Sequence, residues 1–399
     1  MKLLKLCLLV PLMVACNANH STSEGLLSGN LREEIGHASK LSLQDEIESV
    51  EYVPLQSTDD PASLIDGIAE YALTSKYIYV CPVKEARIVL FDRHGHFLKT
   101  LIPFGQGPGE FSGIVASMQA DEKNNRLYLF TIDRFWVYTL EGEFIESVSH
   151  NYMIAFQRRV GKEQLASVAL PYMPFNSGSF GLGLFTEKGD TVLMKNDFSS
   201  TLVAPEKTGF TISIAATYSS PEDAVLFKMG ANDTVFRVSE NLIQPTCVLN
   251  LQNSDKEIVR ALDSSDFNSL REQGDDADIF VSDLFETPRR YYFRCRHQGG
   301  HYVASVDKKT GETLTEKCEQ PGTLRELGDA NLLQGMLGTK SYQNFPIWGR
   351  MEADCLAQVI TTYELSRYKE KCSITVPDQL KAINEESNPV FILYKLRKD

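Results

Sequence analysis

The chain has 399 residues, 43% of them apolar and 23% charged, with a formal net charge of −13. Globular composition excludes a disordered or fibrous chain, and the acidic balance excludes a nucleic-acid binder, because no Lys/Arg cluster offsets it. Length alone suggests two or three domains.

The first element is a targeting segment. Lys2 and Lys5 precede an apolar stretch from Leu6 to Ala15, too short to span a bilayer and typical of a signal peptide. Its end, Leu12-Met-Val-Ala-Cys16, resembles a bacterial lipobox, with methionine where leucine is usual. The resemblance implies a signal peptide over 1–15 and a mature N-terminus lipidated at Cys16. Several acyl chains, each methylene contributing about 0.8 kcal/mol, would hold the protein on a membrane. Residues 16–40 read as the lipidated N-terminus and a flexible tether. The expected location is the cell envelope, anchored at the outer membrane; residues 17–24 carry one acid, Glu24, and no acidic run of the kind that accompanies surface export in related lipoproteins, so the expected side is the periplasm.

From residue 41 to 399 one domain is expected. Glu48 to Leu55 alternates as a strand before any repeat begins. Phe91, Tyr138 and Phe185 then end short apolar runs 47 residues apart, each followed four residues later by Gly95, Gly142 and Gly189. A fixed period in the forties with short strands and glycine turns predicts the four-stranded blades of a β-propeller. The expected fold class is all-β, a six-bladed propeller of antiparallel blades with short helical insertions.

Blade one is expected from Gly67 to Leu101 and blade two from Met118 to Ser147. Blade three is looser, with strands at 165–169 and 183–185 around a Pro/Gly/Ser loop. Blade four holds Ala224–Lys228 and Asp233–Val238, and 255–272 reads as a helical insertion. Blade five spans Ile279 to the turn at Gly311. Blade six is the least defined, through Asn331–Leu333, Phe345–Trp348 and Leu356–Ile360. The chain ends on a strand, Pro389–Leu396, expected to close the ring beside the orphan strand at Val50–Leu55.

Gly107–Phe111, Asp121, Arg126–Leu129, Val137-Tyr138 and Gly142–Phe144 resemble an NHL repeat. Together with Val50–Leu55, Phe91–Leu98, Asn232–Arg237 and Asn388–Leu396, they resemble the six-bladed propeller lipoproteins of the Bacteroidetes. The resemblance implies the fold and an envelope location, and it carries no catalytic residue.

The motifs for chemistry are sparse. Gly105–Ser112 is glycine-rich but lacks the Gly-Lys-Ser/Thr ending of a phosphate loop. It reads as a crossover between blades, on which Gln106 and Glu110 are the candidate ligand contacts. His94 and His96 flank a hairpin glycine, and His297 and His301 sit four apart, the spacing of a metal pair on a helix, but Gly299-Gly300 between them reads as a strand turn, so the two need not converge. No Gly-x-Ser-x-Gly elbow occurs. Oxygen-rich calcium sites in propeller channels make Asp121 and Glu286 the candidate metal contacts. The remaining cysteines show no CxxC, and Cys81 and Cys295 read as buried free thiols. No catalytic residue and no resident cofactor is expected. The expected function is a non-catalytic binding or docking module for an envelope protein or a glycan-type ligand. The alternative is a calcium-dependent hydrolase or lyase working in the central channel.

Overall fold

A computed structural model describes residues 26–37, 39, 41, 43–150, 154–169, 182–195, 216–220, 223–228, 233–252, 279–298, 300–317, 350–352, 355–363, 365–366 and 377–397. The expectations for Cys16, the signal peptide, the 255–272 insertion, Asn331–Leu333 and Phe345–Trp348 lie outside these residues.

Six antiparallel sheets follow one another along the chain and form a ring. Blade 1 is β3 (Ile68–Leu73), β4 (Tyr77–Pro82), β5 (Arg87–Asp92) and β6 (Phe97–Pro103). Blade 2 is β7 (Val115–Asp121), β8 (Arg126–Thr131), β9 (Arg134–Tyr138) and β10 (Phe144–Ser149). Blade 3 is β11 (Ile154–Val160), β12 (Gln164–Ala169), β13 (Leu182–Thr186) and β14 (Thr191–Lys195). Blade 4 is β15 (Ala216–Ser220), β16 (Ala224–Lys228), β17 (Thr234–Ser239) and β18 (Leu242–Val248). Blade 5 is β19 (Phe280–Glu286), β20 (Arg290–His297), β21 (Gly300–Asp307) and β22 (Thr313–Lys317). Blade 6 takes β23 (Arg350–Glu352), β24 (Cys355–Ile360) and β25 (Val390–Leu396) from the end of the chain and its outer strand β2 (Ile47–Pro54) from the beginning.

The middle strands explain the apolar runs. Ile78 to Cys81, Ile88 to Phe91 and Leu127 to Phe130 are buried at every position. A blade is covered on both faces by its neighbours, so its central strands lose the polar alternation of a half-exposed sheet. The outer strands recover exposure: no residue of β10 is buried.

The 47-residue period is one turn used three times. Phe91, Tyr138 and Phe185 are buried on the third strands of blades 1 to 3. The next residue closes the hairpin: the N–H groups of Asp92, Thr139 and Thr186 donate to the carbonyls of His96, Glu143 and Asp190 at 2.9, 2.8 and 2.8 Å. The side chains of the same residues accept from the N–H groups of His96, Glu143 and Asp190. Gly95, Gly142 and Gly189 hold φ of +88°, +94° and +91°, where a Cβ is strained.

Ring closure is as expected. β2 pairs antiparallel with β25 along nearly its whole length, Val50 opposite Tyr394, Tyr52 opposite Ile392 and Pro54 opposite Val390. The two ends of the chain thus share one blade.

The N-terminal boundary differs from the sequence expectation. The tether foreseen through residue 40 gives way to packed chain from Leu27. β1 (Leu27–Ser28) adds a fifth, parallel strand to blade 4 on β18. A short helix α1 (Leu31–Glu34) then crosses blade 5, where Asn30 N–H donates to Thr313 Oγ1 and Leu41 N–H to Glu316 Oε2. Leu31, Leu41 and Leu43 are buried in the core shared by blades 4, 5 and 6. Burial of three leucines, each worth about 1.5–3 kcal/mol, is the physical reason that this segment packs. The described residues between Leu27 and Glu46 therefore form a strap over three blades.

Candidate functional site

The strand order gives the ring two unlike faces. The first-to-second hairpins of the blades lie on one. The second-to-third hairpins and the crossovers between blades lie on the other.

On the hairpin face a cleft of 920 Å³ lies between blades 2 and 3, with rims from Leu73 of blade 1 and from Asp223 and Glu240 of blade 4. Arg159 of β11 forms its floor. Its Nη1 donates to Asp121 Oδ2 at 2.9 Å and its Nε to Glu187 Oε1 at 2.8 Å. Its guanidinium lies 5.7 Å from the centre of the Tyr128 ring. The backbone is held as firmly: Arg159 N–H donates to Gln119 Oε1 at 2.8 Å, and Gln119 Nε2 donates to Arg159 O at 3.3 Å. Ser117 repeats this two residues earlier, its hydroxyl donating to Gln157 O at 2.6 Å. The innermost strands of blades 2 and 3 are thus joined by side chains reaching across to backbone. Burial lowers the Arg159 pKa, but the Glu187 hydrogen bond and the charges of Tyr128, Glu187 and Asp121 outweigh it and raise it overall.

Asp121 ends the inner strand of blade 2. Besides Arg159 it accepts from Asn124, N–H to Oδ1 at 3.1 Å and Nδ2 to Oδ2 at 2.7 Å. Glu286 ends the inner strand of blade 5, 3% exposed, with Arg237 Nη2 and Lys308 Nζ each 2.6 Å from its Oε2. The structure therefore does not bring Asp121 and Glu286 into one site, and each is balanced by cations of its own chain. Among the described residues no three His, Cys, Asp or Glu side chains converge as a metal site. An oxygen cage for calcium needs carboxylates that are not already committed to cations.

Gln106 and Glu110 lie on the other face, in the crossover from blade 1 to blade 2. Glu110 Oε2 accepts from Gly107 N–H at 2.8 Å and so folds back on its own loop, while Gln106 is exposed. A Cβ on Gly105 would lie 1.9 Å from Glu110 Oε2, so a side chain there would push the Glu110 carboxylate aside. Phe104 and Phe111 brace the loop edge-to-face at 5.6 Å. His96 Nδ1 sits 2.8 Å from Asp92 Oδ2 in the first hairpin.

Sequence reasoning missed two features. Arg159, Gln119 and Glu187 belong to no motif, because they meet across blades 2 and 3. The second is a set of exposed apolar side chains on the crossover face, where Leu64, Val83, Phe104, Ile114 and Tyr363 are each more than half exposed. Arg87 links part of the set: its Nη2 donates to Leu64 O at 3.0 Å, and its backbone pairs with Pro103 beside Phe104. The other exposed large apolar residues among those described, such as Leu98, Phe144 and Met194, lie on fourth strands at the perimeter. Cys81, Cys247, Cys295 and Cys355 are buried free thiols, and burial pushes Cys81 up to about 11 and Cys247 to about 12.

The family described as "Domain of unknown function (DUF4934)" has a model that matches residues 28–395. The chain belongs to the DUF4934 family. The match begins inside β1, so the strap is part of the DUF4934 unit. Among solved structures, the DUF4934 chain is similar to a protein from Bacteroides fragilis NCTC 9343 named provisionally as exported. The two are 15% identical, with a TM-score of 0.66 over 93% of this chain and 99% of that one. It is also similar to a member of the duf4221 family from Bacteroides vulgatus ATCC 8482, at 12% identity and a TM-score of 0.50, over 89% and 100% of the two chains. At such identities the likeness shows the propeller fold alone. No curated protein matches the DUF4934 chain.

Proposed function

We propose that the protein is a non-catalytic docking module of the cell envelope. Acyl chains on Cys16 hold it there, and it presents its crossover face to a protein partner. The observation that carries this reading is the segregation of the surface. Loop-borne apolar side chains crowd one face of the ring, while the opposite face holds the charged cleft. Exposed apolar surface gathered on one face of an otherwise charged protein is the kind of surface that partners cover. A rigid ring with loops at the rim suits docking, since the scaffold holds the contacts without ordering cost at binding.

The envelope part rests on the sequence, through the basic start, the short apolar stretch and Cys16. The name of the Bacteroides fragilis neighbour agrees with export. Residues 17–26 give a reach of roughly 35 Å between lipid and strap, so the ring stays close to the bilayer on the periplasmic side.

The test is crosslinking in the native envelope with a photoreactive group at Ile114. The expected result is one dominant adduct, lost when Phe104→Ser and Val83→Ser are combined and kept when Glu187→Gln alters the cleft. Adducts scattered over many proteins, or unchanged by the apolar substitutions, would overturn the docking face. Mass spectrometry of the mature protein tests the anchor, and a free amino terminus anywhere other than a diacylated Cys16 would refute it.

A further inference from the structure

The chain covers some of its own sheet edges. β1 pairs with the fourth strand of blade 4, and farther along the strap Ser39 N–H donates to Thr315 O on the fourth strand of blade 5 at 3.1 Å. Blade 2 has no such cover among the described residues, and β10 is the last strand of its sheet. The phase of its ladder shows which groups are open. His150 N–H donates to Asp133 O at 2.9 Å, and opposed pairs alternate between bonded and non-bonded along an antiparallel ladder. Ser147 and Ser149, opposite Trp136 and Arg134, therefore turn their backbone N–H and C=O groups outwards.

The two sides of this edge differ. On one side Phe144, 45% exposed, rests against Trp136 and Tyr138, with ring centres 6.2 and 5.7 Å away. On the other, the register shift between Phe144 and Glu146 turns Ile145 and Glu146 together towards the cleft between blades 2 and 3. Seven carboxylates and five cations line that cleft, so it is acidic. Glu143 and Glu146 are exposed, and among the described residues no cation pairs with either.

These features select an occupant. An extended segment added to β10 places alternate side chains on opposite sides of the sheet. One set meets Phe144 and Trp136, which suits apolar residues. The other meets Ile145, Glu146 and the mouth of the cleft. Long basic side chains suit that side, since their stems cover Ile145 while their heads reach the acids. A second copy of this chain fits badly: β10 against β10 would bring the same acids together and oppose two bulged ladders. β14 of blade 3 also exposes Leu193 and Met194, but it carries no acid to choose a partner.

We propose that the open edge of blade 2 binds an extended segment of a partner protein in which apolar residues alternate with lysine or arginine. The segment becomes a fifth strand of the blade, as β1 does in blade 4. This contact does not depend on the crossover face.

The test is fluorescence polarisation of the intact protein with a labelled octapeptide of alternating valine and lysine. One comparison peptide alternates valine and glutamate, and another holds its valines and lysines in two blocks. The expected result is binding of the alternating valine–lysine peptide alone, weakening as salt rises. N-methylation of its valines only, or of its lysines only, should act unequally, because one set of N–H groups faces β10 and the other faces away. Ser147→Pro removes a donor from the open edge and none from the ladder, so binding should weaken roughly tenfold, about the loss of one hydrogen bond. Phe144→Ser and Glu146→Gln should each weaken it as well, and Glu146→Gln should flatten the salt dependence. Melting temperatures show which variants are folded, and three separate positions guard against one failing to fold. Val83→Ser on the crossover face should leave peptide binding unchanged, so failure of the docking face is not mistaken for failure of this edge. The proposal is overturned if the alternating valine–lysine peptide does not bind, or if either comparison peptide binds as well. It is equally overturned if both N-methylated peptides bind unchanged, or if no folded variant weakens binding. Self-association of the protein alone, abolished by Ser147→Pro, would overturn it in favour of pairing between two copies.

Discussion

The Tyr292 hydroxyl donates to Glu46 Oε1 at 2.5 Å, joining residues 246 apart in the chain. Tyr292 sits on the second strand of blade 5, and Glu46 ends the strap just before β2. Both are buried. Desolvation first, and the Glu46 charge second, push the phenol pKa up, so it remains the donor. Tyr292→Phe would leave the carboxylate buried without that donor. We expect a loss of about 1.5–3 kcal/mol in urea unfolding, with faster proteolysis in the strap. An unchanged midpoint would mean that the strap is held by its leucines alone.

The three repeated glycines share a backbone conformation but not an environment. A Cβ on Gly95 would lie 2.3 Å from Pro54 O, which belongs to backbone, whereas Gly189 has nothing within 4 Å. Gly189→Ala should cost only the left-handed conformation, about 1–2 kcal/mol. Gly95→Ala should cost clearly more, because the closing strand must shift as well. Equal midpoints for the two variants in denaturant would contradict a rigid contact between blade 1 and the closing strand.

Lys228 is completely buried on the second strand of blade 4. Burial lowers its pKa to about 8, against opposing pulls from Cys295 and Asp233. Between about pH 8 and 10 the unfolded lysine holds its proton and the folded one gives it up, so stability rises with pH in that window. Below it, the buried ammonium costs on the order of 3 kcal/mol. Lys228→Met should therefore be more stable than the native protein at pH 7. The advantage should shrink as pH rises towards 10. A native protein whose stability is flat from pH 7 to 10 would refute the assignment.

Calcium provides a separate test of the channel. Because Asp121 and Glu286 face guanidinium and ammonium groups, adding calcium should leave the melting temperature unchanged. A calcium site at hundredfold excess over its dissociation constant would instead add about 2.7 kcal/mol. A shift of that size, abolished by Asp121→Asn, would favour a metal-dependent enzyme.

The fold was legible because its signals are local. Phe91 and Gly95 sit in one hairpin, and every copy repeats it within a few residues. Closure was legible for a similar reason: Val50–Leu55 and Pro389–Leu396 each read as a strand without a sequence neighbour to pair with. The strap was misread as tether because Leu27, Leu31, Leu41 and Leu43 have no common period. Their partners lie on blades 4 to 6, some hundreds of residues away. The cleft was illegible for the same physical reason. Asp121 could be noted as an acid near an inner strand, but its meeting with Arg159 depends on how two blades pack, which no spacing encodes. Gln106 and Glu110 stood out through the glycines around them, and those glycines serve the loop, with Glu110 turned onto Gly107.

A blade shared by both ends of the chain also sets an order of events during synthesis. Ile47–Pro54 leaves the ribosome more than three hundred residues before Val390–Leu396, the strand that it pairs with. At ordinary elongation rates the interval is on the order of half a minute. Through that time the first strand has an open hydrogen-bonding edge and no partner, the condition under which strands pair with the wrong chain. The nascent chain is thus obliged to keep that edge shielded until β25 is made, and a chain that stops short of β25 is left with the edge open.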